Sequence, residues 1–294
     1  MKALKRILVA MDLSGADYRL LDFVKWIAMV RPGLKVHFLH VMQPMGIPAL
    51  AGMMGDATFS SPDLESQFKL EMEEEAFAKL EDAQVELHFE VAQGNVTKGL
   101  VDYVSTADID LALVGQKAHS MGSGVAVRRF LRNSPAPVLF VPEHAGTNID
   151  HILVPVDFSE CSARAVEAAV ELAKRLPSET EITLLHVFDV PAESHFQRGD
   201  RYAGTIMQYK KRVESYFPAF LKRVDAEGAE FHTAVVDNSG FNTARNIASY
   251  AHDHMADLVV MGAKGHSTAS SFLLGCVTEK FLAYNENIPV LIVK

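Results

Sequence analysis

The chain of 294 residues holds only two cysteines, Cys161 and Cys276. Two thiols make no disulfide framework, so the fold must rest on its apolar core, and a reducing compartment is the expected setting. Basic charge is also scarce: 28 Lys and Arg against 37 Asp and Glu leave a formal net charge of −9. With no cationic excess to neutralise phosphates, nonspecific binding to nucleic acid is not expected. No run approaches the roughly 18 apolar residues of a membrane span. The apolar stretch after Met1-Lys2-Ala3-Leu4-Lys5-Arg6 stops at Asp12, too short for the core of a secretion signal. A cytoplasmic protein is expected. Metal-ligand spacing is missing too: the 12 histidines are scattered, and His252 and His254 lie two apart on a predicted helix, facing different directions.

What the chain does have is a repeat. Ile7-Leu8-Val9-Ala10-Met11-Asp12-Leu13-Ser14 returns as Ile152-Leu153-Val154-Pro155-Val156-Asp157-Phe158-Ser159. Phe38-Leu39-His40-Val41 returns as Leu184-Leu185-His186-Val187, and Asp110-Leu111-Ala112-Leu113-Val114-Gly115 as Asp257-Leu258-Val259-Val260-Met261-Gly262. Pro137-Val138-Leu139-Phe140-Val141 closes the first copy and Pro289-Val290-Leu291-Ile292-Val293 the second. Matched blocks in one order mean duplication. The reading gives one domain over 1–144 and another over 149–294, joined by a short polar linker.

Within the second copy, residues 152–156, 181–188, 230–236, 258–261 and 290–293 read as strands, rich in Val, Ile and Leu as strands covered on both faces should be. Helices are predicted over 163–175, 209–227, 243–254 and 272–284. Alternating strand and helix imply an α/β fold: two repeated doubly wound domains, each a five-stranded parallel sheet flanked by helices. Ligands on such sheets bind beyond the carboxyl ends of the strands, where the strand order reverses. Asp157, Val187 and Gly262 belong to that edge.

The most specific motif is Gly262-Ala263-Lys264-Gly265, followed at the start of a predicted helix by Gly275-Cys276. Glycines at a strand exit admit close approach of a ligand, and the amides that open a helix face outward with the positive dipole end behind them. In the first copy Ala118 replaces the second glycine, the loop to Gly124 is four residues shorter, and Val125 stands where Cys276 stands in the second.

With Asp-x-Ser after the first strand, His-Val in the second, this glycine spacing and the closing Pro-Val-Leu run, both copies resemble universal stress protein domains. The resemblance implies a Rossmann-like fold of the adenine-nucleotide α-hydrolase-like type and a tandem stress-response protein. It implies ATP or another adenine nucleotide, with or without Mg²⁺, bound as ligand in the second copy, and dimer formation through the last strand. The implied ligand-binding residues are Pro155, Val156, Asp157, Val187, Met261, Gly262, Gly265, His266, Ser267, Gly275, Cys276 and Val277. Asp157 and the Val187 backbone would hold adenosine, and the glycine loop the phosphates. A family member would carry serine or threonine at Cys276; a thiol donates more poorly, so binding is expected to be weakened there. The first copy is expected to act mostly as a scaffold.

No catalytic residue is assigned. Two other readings stay open. A slow ATP hydrolase would need Glu279 to orient water, yet no Gly-Lys-Ser/Thr is present to seat Mg²⁺. A scaffold with a vestigial site would use the methionine-containing segment 43–61 against a protein or apolar partner. His40 and His186 read first as packed, hydrogen-bonded histidines.

Overall fold

The computed structural model describes residues 4–43, 61–116, 123–176, 179–189, 200–226, 228–238, 242–264 and 274–294. The chain divides into two compact units, Lys2–Ala145 and Gly146–Lys294.

In the first unit, β1 (Arg6–Met11), α1 (Asp17–Val30), β2 (Leu34–Met42), α2 (Ser61–Leu80) and β3 (Val85–Gln93) are followed by α3 (Val96–Thr106), β4 (Leu111–Gln116), α4 (Ser123–Asn133) and β5 (Val138–Pro142). The second unit begins with β6 (His151–Pro155), α5 (Glu160–Ala173), β7 (Glu181–Phe188), α6 (Asp200–Glu214) and α7 (Phe217–Leu221). It continues through β8 (His232–Asp237), α8 (Thr243–Asp253), β9 (Leu258–Gly262), α9 (Cys276–Tyr284) and β10 (Val290–Val293).

Strands run β3-β2-β1-β4-β5 in the first unit and β8-β7-β6-β9-β10 in the second, every neighbouring pair parallel. This is the doubly wound arrangement expected from the sequence. The order reverses between β1 and β4, and again between β6 and β9, so each unit has one crevice at the carboxyl end of its sheet. Sheet residues such as Leu8, Val9, Leu153 and Val259 are wholly buried, because helices cover both faces. On α5 the buried stripe is mostly alanine (Ala163, Ala165, Ala168, Ala169), which lets the helix lie close to the sheet.

The duplication extends to single atoms. Asp110 Oδ2 accepts from the amides of Lys5 and Arg6 at 2.9 Å each, and Asp257 Oδ2 from those of Asp150 and His151 at 2.9 and 2.8 Å. Each carboxylate thereby satisfies backbone donors where a central strand begins. Both units also place a non-glycine residue in the left-handed region after a helix, Asp108 (φ 51°) and Met255 (φ 51°).

Three predicted helices differ from the structure by more than a residue. The helix expected over 209–227 is instead α6 and α7, separated at Ser215 and Tyr216. Pro218 has no N–H to continue the ladder, and it takes a first-turn position where none is needed. Helix α5 starts at Glu160 rather than 163, because Ser159 Oγ caps the Ser162 amide at 3.2 Å. Of the helix expected over 272–284, Cys276–Tyr284 is described as α9.

Candidate functional site

At the crevice of the second unit, β6 and β9 pair only through Ile152↔Leu258 and Leu153↔Val259. In the first unit the matching ladder runs further, to Ala10↔Val114. Pro155, which stands where the first copy has Ala10, has no amide to contribute, and the strands part beyond Leu153. At this crevice lies a cavity of about 300 Å³, within the range of small-molecule sites.

Nine of the residues named from the sequence line it: Pro155, Val156, Asp157, Val187, Met261, Gly262, Gly275, Cys276 and Val277. Gly265, His266 and Ser267 lie outside the described residues, as do Ala118 and His119 of the first copy and residues 44–60 of the methionine-containing segment. The lining also includes Ser162, Thr243, Ile247, Lys264 and Thr278. Thr243 and Ile247 come from α8, an element carrying no motif, so nothing in the sequence pointed to them. Glu279 is not among the lining residues.

Asp157 is held by its own turn. The Ser159 amide donates to Asp157 Oδ1 at 3.1 Å, and Phe158 between them sits at φ 62°, unfavourable for a bulky residue. Packing offsets that strain: the Phe158 ring stacks on His186 at 4.7 Å and meets Phe217 and Phe220 edge-on at 5.2 and 5.5 Å. Leu13 (φ 57°) repeats the conformation in the first unit.

His186 closes the floor. The Val156 amide donates to Leu185 O at 2.8 Å, and His186 Nδ1 meets Val156 O at 2.7 Å. Since a carbonyl can only accept, Nδ1 carries the hydrogen, and Nε2 of the neutral ring is left as an acceptor. Burial pushes this histidine's pKa below its ordinary value, against the pull of the Val156 carbonyl and the charges of Asp157 and Asp189. His40 makes the same bond to Met11 O at 2.9 Å, so both histidines are built into the backbone, as their sequence context suggested.

The glycines play different parts. A Cβ on Gly262 would lie 2.9 Å from the backbone carbon and oxygen of Cys161, so this glycine lets the first turn of α5 touch the end of β9. Thr278 Oγ1 donates to Gly262 O at 3.0 Å and ties α9 to the same point. Gly275 donates its own amide to Ala263 O at 2.7 Å. It is therefore not a free anion donor, a correction to the amide cradle expected from its position. Gly275 is the N-cap and has no side chain to cap with, so the outward amides belong to Cys276 and Val277 in the first turn of α9. Cys276 itself is exposed.

Lys264 lines the cavity. Burial, and secondarily the charge of Lys264, lower the pKa of Lys294 to about 8. Arg164 Nε donates to Lys294 O at 3.0 Å. One end of the crevice thus offers Asp157 and acceptors, the other amides and positive charge.

A doubly wound parallel domain occurring twice, each copy with an Asp-x-Ser turn at the crevice of its sheet, defines a class of Rossmann-like α/β proteins. The family model described as the universal stress protein family matches residues 3–142 and 148–294, and the chain belongs to that family, with two such domains in tandem. A universal stress protein of Methanocaldococcus jannaschii is 28% identical over 149 residues, covering 49% of this chain and 81% of that one. The stress response protein NhaX of Bacillus subtilis is 26% identical over 166 residues, covering 49% of this chain and 98% of its own. The crystal structure of a universal stress protein from Archaeoglobus fulgidus matches 98% of this chain and 96% of its own at a TM-score of 0.67 and 19% identity, a likeness of fold. Among the described residues no helix is long and apolar enough to cross a membrane.

Proposed function

We propose that the second unit binds ATP or a related adenine nucleotide and that the protein acts in stress response by binding rather than by turnover. The observation that carries this reading is the polarity of one cavity: an aspartate held by a strained turn at one end, helix-opening amides and Lys264 at the other. Adenosine would lie along β6 and β7, with Asp157 accepting from its hydroxyls and the Val187 backbone meeting the base. The phosphates would take the amides of Cys276 and Val277 and the charge of Lys264. Any Mg²⁺ would arrive on the phosphates, since the described residues contain no group of three or more His, Cys, Asp and Glu able to hold a metal. Pairing of two chains into a homodimer and a cytoplasmic location belong to the same reading.

Isothermal titration of the full chain tests it. ATP is expected to bind and Asp157→Ala to weaken both ATP and adenosine. Cys276→Ser, which supplies a better donor, is expected to tighten ATP by roughly fivefold, about 1 kcal/mol. Absence of saturable ATP binding at millimolar concentration would end the proposal.

A further inference from the structure

The helical connection from the second strand to the third carries opposite charge in the two units. In the first it is α2, where residues 62–80 hold Asp63, Glu65, Glu71, Glu73, Glu74 and Glu75 against Lys69 and Lys79. In the second, α6 and α7 make the connection, and residues 203–224 hold Lys210, Lys211, Arg212, Lys222 and Arg223 against the single acid Glu214. A chain of net charge −9 thus keeps one markedly basic helical segment.

Much of this charge is unspent within the chain. Lys79 turns to α1, bonding Asp22 at 2.5 Å and lying 3.7 Å from the centre of the Tyr18 ring. Lys69 reaches Glu73 at 4.0 Å. Glu71, Glu74 and Glu75 meet no cation among the described residues, and burial, then the charge of Glu71, raises the Glu75 pKa. Like charges one turn apart weaken a helix. On α6, Lys210 and Lys211 are exposed and meet no acid among the described residues.

Apolar side chains stand out among these charges. Leu70 and Phe77 are 55% and 57% exposed, and with exposed Glu74 between them they form one stripe of α2. The Phe77 ring is steadied from behind, 5.7 Å from Phe89, which stacks on Phe38 at 5.0 Å. On α6, Met207 is 59% exposed and exposed Lys211 follows one turn later. A lone apolar residue on a surface is ordinary. Here an exposed apolar residue precedes an exposed charge by four positions on both helices, and the two charges are of opposite sign.

We propose that α2 of one chain docks on α6 of a second copy, with Leu70 and Phe77 packing on Met207 and Glu74 facing Lys211. The inference deepens the homodimer proposed above and rests on it, supplying the surface; it is independent of the nucleotide. An exposed ion pair by itself contributes little. Burying the apolar stripe excludes water from the pair, while the opposite fields speed encounter and leave the contact sensitive to salt. Two copies meeting α2 to α2 would instead set Glu71, Glu74 and Glu75 against their own kind.

Sedimentation velocity of the full chain over a concentration series tests it. Association is expected at low salt and should weaken by roughly tenfold in about 1 M NaCl, where screening extends over only about 3 Å. Glu74→Lys alone and Lys211→Glu alone should each weaken self-association by roughly tenfold. An equimolar mixture of the two variants, and a chain carrying both substitutions, should recover wild-type association, because each restores a pair of opposite sign. Both positions are exposed, and circular dichroism melting establishes that each variant is folded. Single variants that associate like the wild type would leave the homodimer to another surface and overturn this one. Loss in both without recovery on mixing, or association strengthened by salt, would overturn it too. A chain that stays monomeric at roughly millimolar concentration would end both this surface and the homodimer, leaving the two faces to other partners.

Discussion

Replacing Gly262 and Gly115 by alanine, one at a time, gives a paired experiment in which the same substitution at the same repeat position should act with opposite sign. At Gly262 the added Cβ falls 2.9 Å from the carbonyl carbon, oxygen and Cβ of Cys161. Two of these are backbone atoms in the first turn of α5, which cannot rotate away. At Gly115 the nearest neighbour is Leu20 Cδ1 at 3.7 Å, an ordinary contact. Alanine in place of a strand glycine gains about 0.5–1 kcal/mol of unfolded-state entropy. Overpacking against a fixed backbone costs about 1–3 kcal/mol. Gly115→Ala should therefore stabilise its unit slightly, while Gly262→Ala should lose about 1–2 kcal/mol, or roughly 3–6 °C in melting temperature for a unit this size. The single tryptophan, Trp26 on α1, makes the first unit's transition readable by fluorescence, and far-UV circular dichroism follows both. Gly262→Ala should also impair ATP titration, because α5 would be pushed off the cavity wall. If Gly262→Ala were as stable as Gly115→Ala in urea, close approach of α5 to β9 would not be the reason for this glycine.

Further outcomes follow from single groups. Burial, then the charge of Asp12, raises the Asp17 pKa from 3.8 to about 7. The folded unit therefore holds this proton more tightly than the unfolded chain; the associated stability is full below about pH 4, is lost as pH rises towards 7, and is flat above, on the order of a few kcal/mol in total. Asp17→Asn should remove that slope from urea midpoints read by Trp26 fluorescence, and an unchanged slope would contradict the assignment. Thr278→Val deletes the bond to Gly262 O and should cost about 1 kcal/mol of stability, seen as a lower urea midpoint by circular dichroism. Ser159→Ala removes the cap of α5 and should cost about 1 kcal/mol by the same measurement. Lys264→Ala should weaken ATP by roughly fivefold yet leave adenosine unchanged, since the lysine sits at the phosphate end; equal losses for both ligands would misplace it.

The strands were legible because parallel strands covered on both faces need continuous apolar runs, and the duplication supplied every run twice. Asp157 and Val187 were legible for the same reason: the repeat places them at strand ends, and doubly wound sheets bind ligands there. Other features were hidden in side-chain packing. Nothing about Phe158 announces a left-handed backbone; the aromatic cluster of Phe217 and Phe220, about sixty residues on, makes it tolerable. Thr243 and Ile247 reach the cavity only because α8 packs over β7. The break at Pro218 was present in the sequence, but the amphipathic pattern on either side concealed it.

Glycine shows most plainly where the boundary lies. Spacing alone marked Gly262, Gly275 and their helix as one constellation, since a strand exit and a helix start set a fixed chain length between them. Which amide faces a ligand, which donates to Ala263 and which glycine exists for Cys161 are matters of contact between segments a hundred residues apart. Sequence by itself determined the twofold α/β architecture, because local periodicity is what builds strands and helices. Only the tertiary structure decided the character of the second unit's crevice, because burial and the number of donors around a carboxylate arise only when the elements meet.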